Sequence, residues 1–324
     1  MLIEIHGKKR VGKMNNDKLI IIPYAYGGNT GVSIQKPSLQ FTTYMKNNCV
    51  ACLSAKENAG SDTDVMLISN IEIPDPYASL LKSKGIILQL CPFDSFNFDK
   101  AIQAGREVRW HLAFYKICAL KFCVLNTNYK YFCYMDSDVF IQRSFERIWN
   151  DSKYKVMLYD INEPTDGYMV KEMQHFLQDE CFLTHYGGEF FAASKFLAEK
   201  FVCECERVYN QMVDIGYITT SGDEFIISIA ASRMLPDVKN SGAYIRRYWT
   251  GSYRLMCDDY KKNNISILHI PAEKEHGMIK LYDRYVSHGK IPTCKDVWKV
   301  CNFYHPSIRV CMGLLLRKII VIFR

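Results

Sequence analysis

The sequence predicts an α/β fold with a mixed, mostly parallel sheet flanked by helices. Apolar runs of strand length alternate with amphipathic segments of helix length, the pattern of repeated βα units. Hydrophobic residues make up 48% of the 324 positions, enough to fill a large core. One short apolar run, Tyr131-Phe132-Cys133-Tyr134-Met135, stops abruptly at Asp136-Ser137-Asp138. Two carboxylates are thereby set at the carboxyl end of a buried strand, the edge where open α/β sheets bind ligands.

The first strand is expected at 18–23, where an apolar run is closed by Pro23 and by the turn Tyr26-Gly27-Gly28-Asn29-Thr30-Gly31. A helix follows over 38–47, then strands over 65–69 and 85–90. Residues 105–122 give the best helical pattern, because Val108, Leu112, Tyr115, Ala119 and Phe122 recur at helical spacing. Arg109 and Lys116 lie two turns apart on its other face. After the strand at 131–135, an amphipathic helix runs over 194–212. A shorter helix starts at Asp223 and buries Phe225, Ile226 and Ile229. A last strand at 265–268 leads into His269.

This divides the chain into a basic arm (1–17), one catalytic-sized domain (18–300) and a basic, hydrophobic tail (301–324). The tail is interrupted by Arg317 and Lys318 and is shorter than the roughly 20 apolar residues a spanning helix needs. It reads as an interfacial segment or as a core helix. The net charge of +7 is spread along the chain, which suits anionic substrates or a membrane surface. No nucleic-acid-binding signature accompanies it. The 13 cysteines are odd in number and follow no secretory signal, so the expected setting is a reducing cytoplasm, with the tail on the inner face of the plasma membrane. Cys49 and Cys52 have redox or zinc spacing but no partner pair, and read as buried small hydrophobes.

Asp-x-Asp is a weak pattern alone, and the sequence carries its own control. Asp62-Thr63-Asp64 precedes its strand, whereas Asp136-Ser137-Asp138 follows one. Carboxylates this close repel each other unless a cation sits beside them. Hard oxygen ligands suit Mn2+ or Mg2+, which keep positions open for phosphate. The plainer alternative is a turn capped by Asp136.

Three stretches carry a resemblance: Leu112 to Ile117, Tyr131 to Ile141, and Phe145-Glu146-Arg147-Ile148-Trp149. Together they resemble the core of glycosyltransferase family 8, the glycogenin and lipopolysaccharide galactosyltransferase group, which has the GT-A fold. The resemblance implies that Asp136 and Asp138 hold a divalent metal, with Ser137 beside the donor, and that Lys116 binds phosphate. It also implies a third metal ligand at His269 and a diphosphate-binding Lys274, with His276 as a competing candidate. The Gly and the Lys-Pro-Trp ending usual there are missing. The segment Tyr186-Gly187-Gly188-Glu189 is similar to the glycine loop beside the donor sugar in the blood-group transferases of family 6. Gly222-Asp223-Glu224-Phe225 resembles their acidic pair, implying Glu224 or Asp223 as nucleophile or charge stabiliser for an oxocarbenium-like transition state. Glu189 is the other carboxylate in line for that role. The alternative for Glu224 is a capping box with Ser221. Tyr24 and Tyr26 are placed near the nucleobase, and Arg109 with Lys116 near the pyrophosphate.

The expected activity is transfer of a hexose from a nucleotide-diphosphate sugar, UDP in the first instance, to a saccharide or lipid-linked saccharide in surface polysaccharide or lipopolysaccharide synthesis. The rivals are a sugar-phosphate nucleotidyltransferase, from which the first turn departs by lacking Lys or Arg, and a non-enzymatic carbohydrate- or membrane-binding protein.

Overall fold

The computed structural model describes residues 16–27, 39–250 and 264–303, with Met312, Leu315 and Leu316 besides. A seven-stranded sheet forms the centre, in the order β3-β2-β1-β4-β7-β6-β8. Its strands are β1 (Lys18–Tyr24), β2 (Thr63–Ser69), β3 (Ile87–Leu90), β4 (Tyr131–Met135), β6 (Val156–Asp160), β7 (Tyr186–Ser194) and β8 (Val238–Asn240). The pairs β3-β2, β2-β1, β1-β4 and β6-β8 are parallel, and only β7 runs against its neighbours β4 and β6. A smaller sheet of β5 (Val139–Ile141), β10 (Ile267–His269) and β9 (Ile245–Arg247) adjoins it. The chain is thus an α/β protein with a mostly parallel sheet flanked by helices.

Burial on both faces explains the continuous apolar strands. In β1, Leu19 and Ile21 enter one core while Ile20 and Ile22 enter the other; in β4, Phe132 and Tyr134 part from Cys133 and Met135 in the same way. The first core is closed by α4 (Tyr115–Asn126), α7 (Lys195–Asp214) and α8 (Asp223–Ser232). The second is closed by α1 (Gln40–Asn58), α9 (Gly277–His288) and α10 (Cys294–Val300). Side chains such as Phe201 and Trp149 fill these layers.

Several expectations need correction. The helical pattern at 105–122 is broken at Trp110, whose backbone is left-handed (φ 57°, ψ 25°); a single 3-10 turn and then α4 follow. Apolar spacing runs across the break because both sides pack on one core, so periodicity alone could not detect it. Arg109 therefore does not share a helix face with Lys116. It is exposed and pairs with Glu107 at 3.3 Å. The glycine segment expected as a loop is the start of β7 itself. The first helix continues well past residue 47 and carries Cys49 and Cys52 into the core, where burial pushes the Cys49 thiol up to about 12. The cysteines among the described residues are free thiols.

No helix among the described residues is long and apolar enough to cross a membrane. Most of the arm, the turn beyond Gly27 and most of the tail lie outside the described residues.

Candidate metal centre

A cavity of about 520 Å³ opens where the carboxyl ends of β1, β4, β9 and β10 meet the amino-terminal ends of α4 and α8. Its size suits a small organic ligand. The end of β1 contributes Tyr24 and Tyr26, the turn after β4 contributes Asp136, Ser137 and Asp138, and β9 and β10 end in Arg247 and His269. Lys116 enters from α4, Asp223 and Glu224 from α8, and Lys274 from the turn after β10. Asp62 and Asp64 sit at the opposite end of the sheet, where Asp62 pairs with Lys18 and Asp64 accepts from Tyr129.

The antiparallel pairing of β5 with β10 sets His269 opposite Val139, one residue past Asp138. Ligand atoms of Asp136, Asp138 and His269 lie within 4.8 Å of one another, so the group could hold a metal ion. Asp138 and His269 are buried, while the Asp136 side chain is about a quarter exposed. Asp138 Oδ2 is buried without an aligned hydrogen bond, although Lys274 Nζ and His269 Nε2 approach to 3.1 and 3.3 Å. An anionic oxygen of this kind, beside a second carboxylate and an imidazole, fits the donor set of a divalent cation. Burial would raise the Asp138 carboxyl, but Lys274 and His269 outweigh it and hold it well below the usual range.

Glu189 has a different place from the one the sequence suggests. It lies in β7 behind the cavity, fully buried, and does not line it. Its Oε1 is 3.2 Å from His269 Nδ1, which fixes the ring and turns Nε2 toward Asp138. A carboxylate behind a histidine is the usual support of a metal-ligating imidazole. Burial would raise Glu189, but Arg247 and His269 hold it at about 2. Burial likewise opposes charge on His269, yet Asp138 and Glu189 raise it to about 9.

The acidic pair of α8 is split between two networks. Glu224 does not cap its own helix: its oxygens go to His185 Nε2 (2.8 Å) and Arg247 Nη2 (3.0 Å), with the Gly188 amide donating at 3.4 Å. Ser221 donates to Glu172 instead, so the capping box is absent. Burial opposes ionisation of Glu224, but His185 and Arg247 hold its carboxyl down. Asp223 faces Lys116 at 2.9 Å, and burial pushes it up to about 6 against the pull of that ammonium. Lys116 also reaches Asp136 at 3.1 Å. Burial opposes its charge, and Asp136 and Asp223 more than restore it.

Gly187 and Gly188 are needed for close packing. A Cβ at 187 would stand 1.9 Å from Glu189 Oε2, and one at 188 would stand 2.1 Å from Asp223 Oδ2. Neither lines the cavity, so they hold its wall rather than face a ligand. Arg109 is also outside it. Sequence reasoning missed Arg247, His185 and Glu163, which join these groups: His185 Nδ1 lies 2.7 Å from Glu163 Oε2. The charges in Tyr244-Ile245-Arg246-Arg247-Tyr248, a run otherwise suited to a strand, were the available signal for Arg247. His276 does not line the cavity either, which leaves His269 as the histidine beside the aspartates.

No protein-family model matches the chain, and no curated protein is similar enough to match it.

Proposed function

We propose that the protein is a metal-dependent glycosyltransferase that moves a hexose from a nucleotide-diphosphate sugar, UDP-linked in the first instance, to a saccharide or lipid-linked saccharide hydroxyl. The observation that carries this reading is the grouping of Asp136, Asp138 and His269 in one cavity with Lys116 and Lys274. Carboxylates and imidazole suit a divalent cation, and flanking ammonium groups suit the phosphates that such a cation bridges. A cation held there would supply Lewis acidity to a leaving diphosphate.

The remaining roles belong to the chain. Tyr24, Tyr26 and Phe41 form an edge-to-face aromatic cluster beside the cavity, apt for a nucleobase. Glu224, ionised and held on both oxygens, can stabilise positive charge developing on a sugar ring. Asp223 and Lys116 can bind sugar and phosphate oxygens. Incubation with a panel of nucleotide sugars and Mn2+ tests the proposal. Release of nucleoside diphosphate supports it; conversion of the nucleotide sugar with added pyrophosphate into nucleoside triphosphate and sugar 1-phosphate would assign a nucleotidyltransferase, and no turnover with any donor would leave a binding protein.

A further inference from the structure

Each acidic arm of the candidate metal centre is already paired with an ammonium group of the chain itself. Lys274 Nζ lies 3.1 Å from Asp138 Oδ2, the oxygen that lacks an aligned hydrogen bond, and Lys116 Nζ lies 3.1 Å from Asp136 Oδ1. The lysine side chains are only 20% and 12% exposed, so water screens these pairs little. A divalent cation arriving alone must compete for the same oxygens and accept two ammonium charges as close neighbours. A diphosphate reverses both costs, since it offers the lysines charged oxygens of its own, whereas Asp138 is already shared with His269 and Lys116 is already divided between Asp136 and Asp223. A lysine's flexible four-carbon stem lets the ammonium change partner without backbone movement.

We propose that Lys116 and Lys274 are built-in counter-ions of the Asp136–Asp138 pair, so that the divalent cation and the nucleoside diphosphate bind as one cooperative unit. The diphosphate draws the ammonium groups from the carboxylates, and the freed carboxylates then hold the cation. This rests on the reading of the cavity as a nucleoside-diphosphate site and adds the order of affinities within it: weak for cation alone, strong for the pair.

The test is calorimetric titration of the full chain with MnCl2 alone, with UDP alone, and with each in the presence of the other; inorganic pyrophosphate replaces UDP in a further arm. In the wild type, UDP tightens Mn2+ binding by about tenfold or more, and Mn2+ tightens UDP binding by the same factor. Lys274→Met and Lys116→Met each bind Mn2+ alone several-fold more tightly than wild type, and the coupling factor falls. A lysine that only holds its aspartate in place predicts the opposite sign, so variants that bind Mn2+ alone equally or more weakly overturn the inference. Lys274→Gln, which keeps a polar end in the buried site, serves where the methionine variant is unstable. Wild-type binding of Mn2+ that UDP does not strengthen would also overturn the inference while leaving the metal centre standing. If Mn2+ does not bind even with UDP or pyrophosphate, the proposed function fails at its cation and the inference falls with it.

Discussion

Arg247 grips Glu189 by both oxygens, Nε at 2.8 Å from Oε1 and Nη2 at 2.8 Å from Oε2. The same guanidinium reaches Glu224 at 3.0 Å, so one side chain of β9 ties the support of His269 to the first turn of α8. Removing it would take the two-pronged partner from a carboxylate that is only 1% exposed and leave it with His269. Arg247→Met is therefore expected to cost roughly 3–5 kcal/mol, the usual penalty for breaking a buried pair from one side. Arg247→Lys should cost less, keeping charge but losing the two-pronged fit. Urea denaturation measures both; a loss in Arg247→Met under about 0.5 kcal/mol, typical of surface changes, would remove Arg247 from this role.

The two Asp-x-Asp triplets give a paired test of the metal centre. Asp138→Asn should abolish Mn2+-dependent stabilisation by UDP while the fold persists. Asp62→Asn, at the far end of the sheet, should leave it intact. A ligand at a hundredfold its Kd stabilises by about 2.7 kcal/mol, well within reach of a thermal melt. Equal stabilisation of Asp138→Asn and wild type would refute the assignment of Asp138.

His185 makes a pH signature. Its ring nitrogens face Glu163 and Glu224, both carboxylates, and Arg247 approaches only the far oxygen of Glu224. Burial lowers its affinity for the proton, but the two carboxylates prevail and raise it above the ordinary 6.5. A raised imidazole contributes stability that is fully present below 6.5 and is lost as pH rises through the higher folded-state value. Wild type should thus exceed His185→Gln in stability most below pH 6.5, with the gap shrinking as pH rises through the higher folded-state value. Taking the difference between the two proteins cancels the similar titration of His269. A gap that is constant or widens with pH would contradict the pairing.

What could be read from the sequence divides along contact range. Asp136 and Asp138 were legible because a strand of five apolar residues has only one way to end, and the strand itself was predicted at the limits found, Tyr131–Met135. His269 was implied by the family resemblance, and it stands as the last residue of β10, Ile267–His269. Glu224 was visible as a residue, but not in its role: Ser221 and Glu224 have local capping spacing, and tertiary partners 36 and 39 residues away, Gly188 and His185, take the carboxylate instead. Arg247 meets Glu189 across 58 positions, and no local pattern encodes that distance. Arg109 failed for the converse reason, since a helical period continued through a residue whose backbone is left-handed.

The two glycines of β7 separate stability from binding. An alanine Cβ at 187 would meet Glu189 Oε2 at 1.9 Å and Ile161 Cδ1 at 2.8 Å. Glu189 is clamped by Arg247 and His269 and has nowhere to yield, so the strand must shift. At 188 the opposing atoms are Asp223 Oδ2 at 2.1 Å and Lys116 Nζ at 2.8 Å. Both of those side chains border the cavity and can move into it. Gly187→Ala should therefore lose about 1–3 kcal/mol or more of stability through overpacking, and Gly188→Ala less. For binding the order reverses. Displacing Asp223 and Lys116 places them in the space proposed for the donor, so Gly188→Ala should lose at least tenfold in UDP affinity with Mn2+ present, about 1.4 kcal/mol. Urea titration and calorimetry on the same two variants check this crossing of effects. A Gly188→Ala protein that binds UDP as wild type does would show that the Asp223–Lys116 pair lies clear of the bound nucleotide.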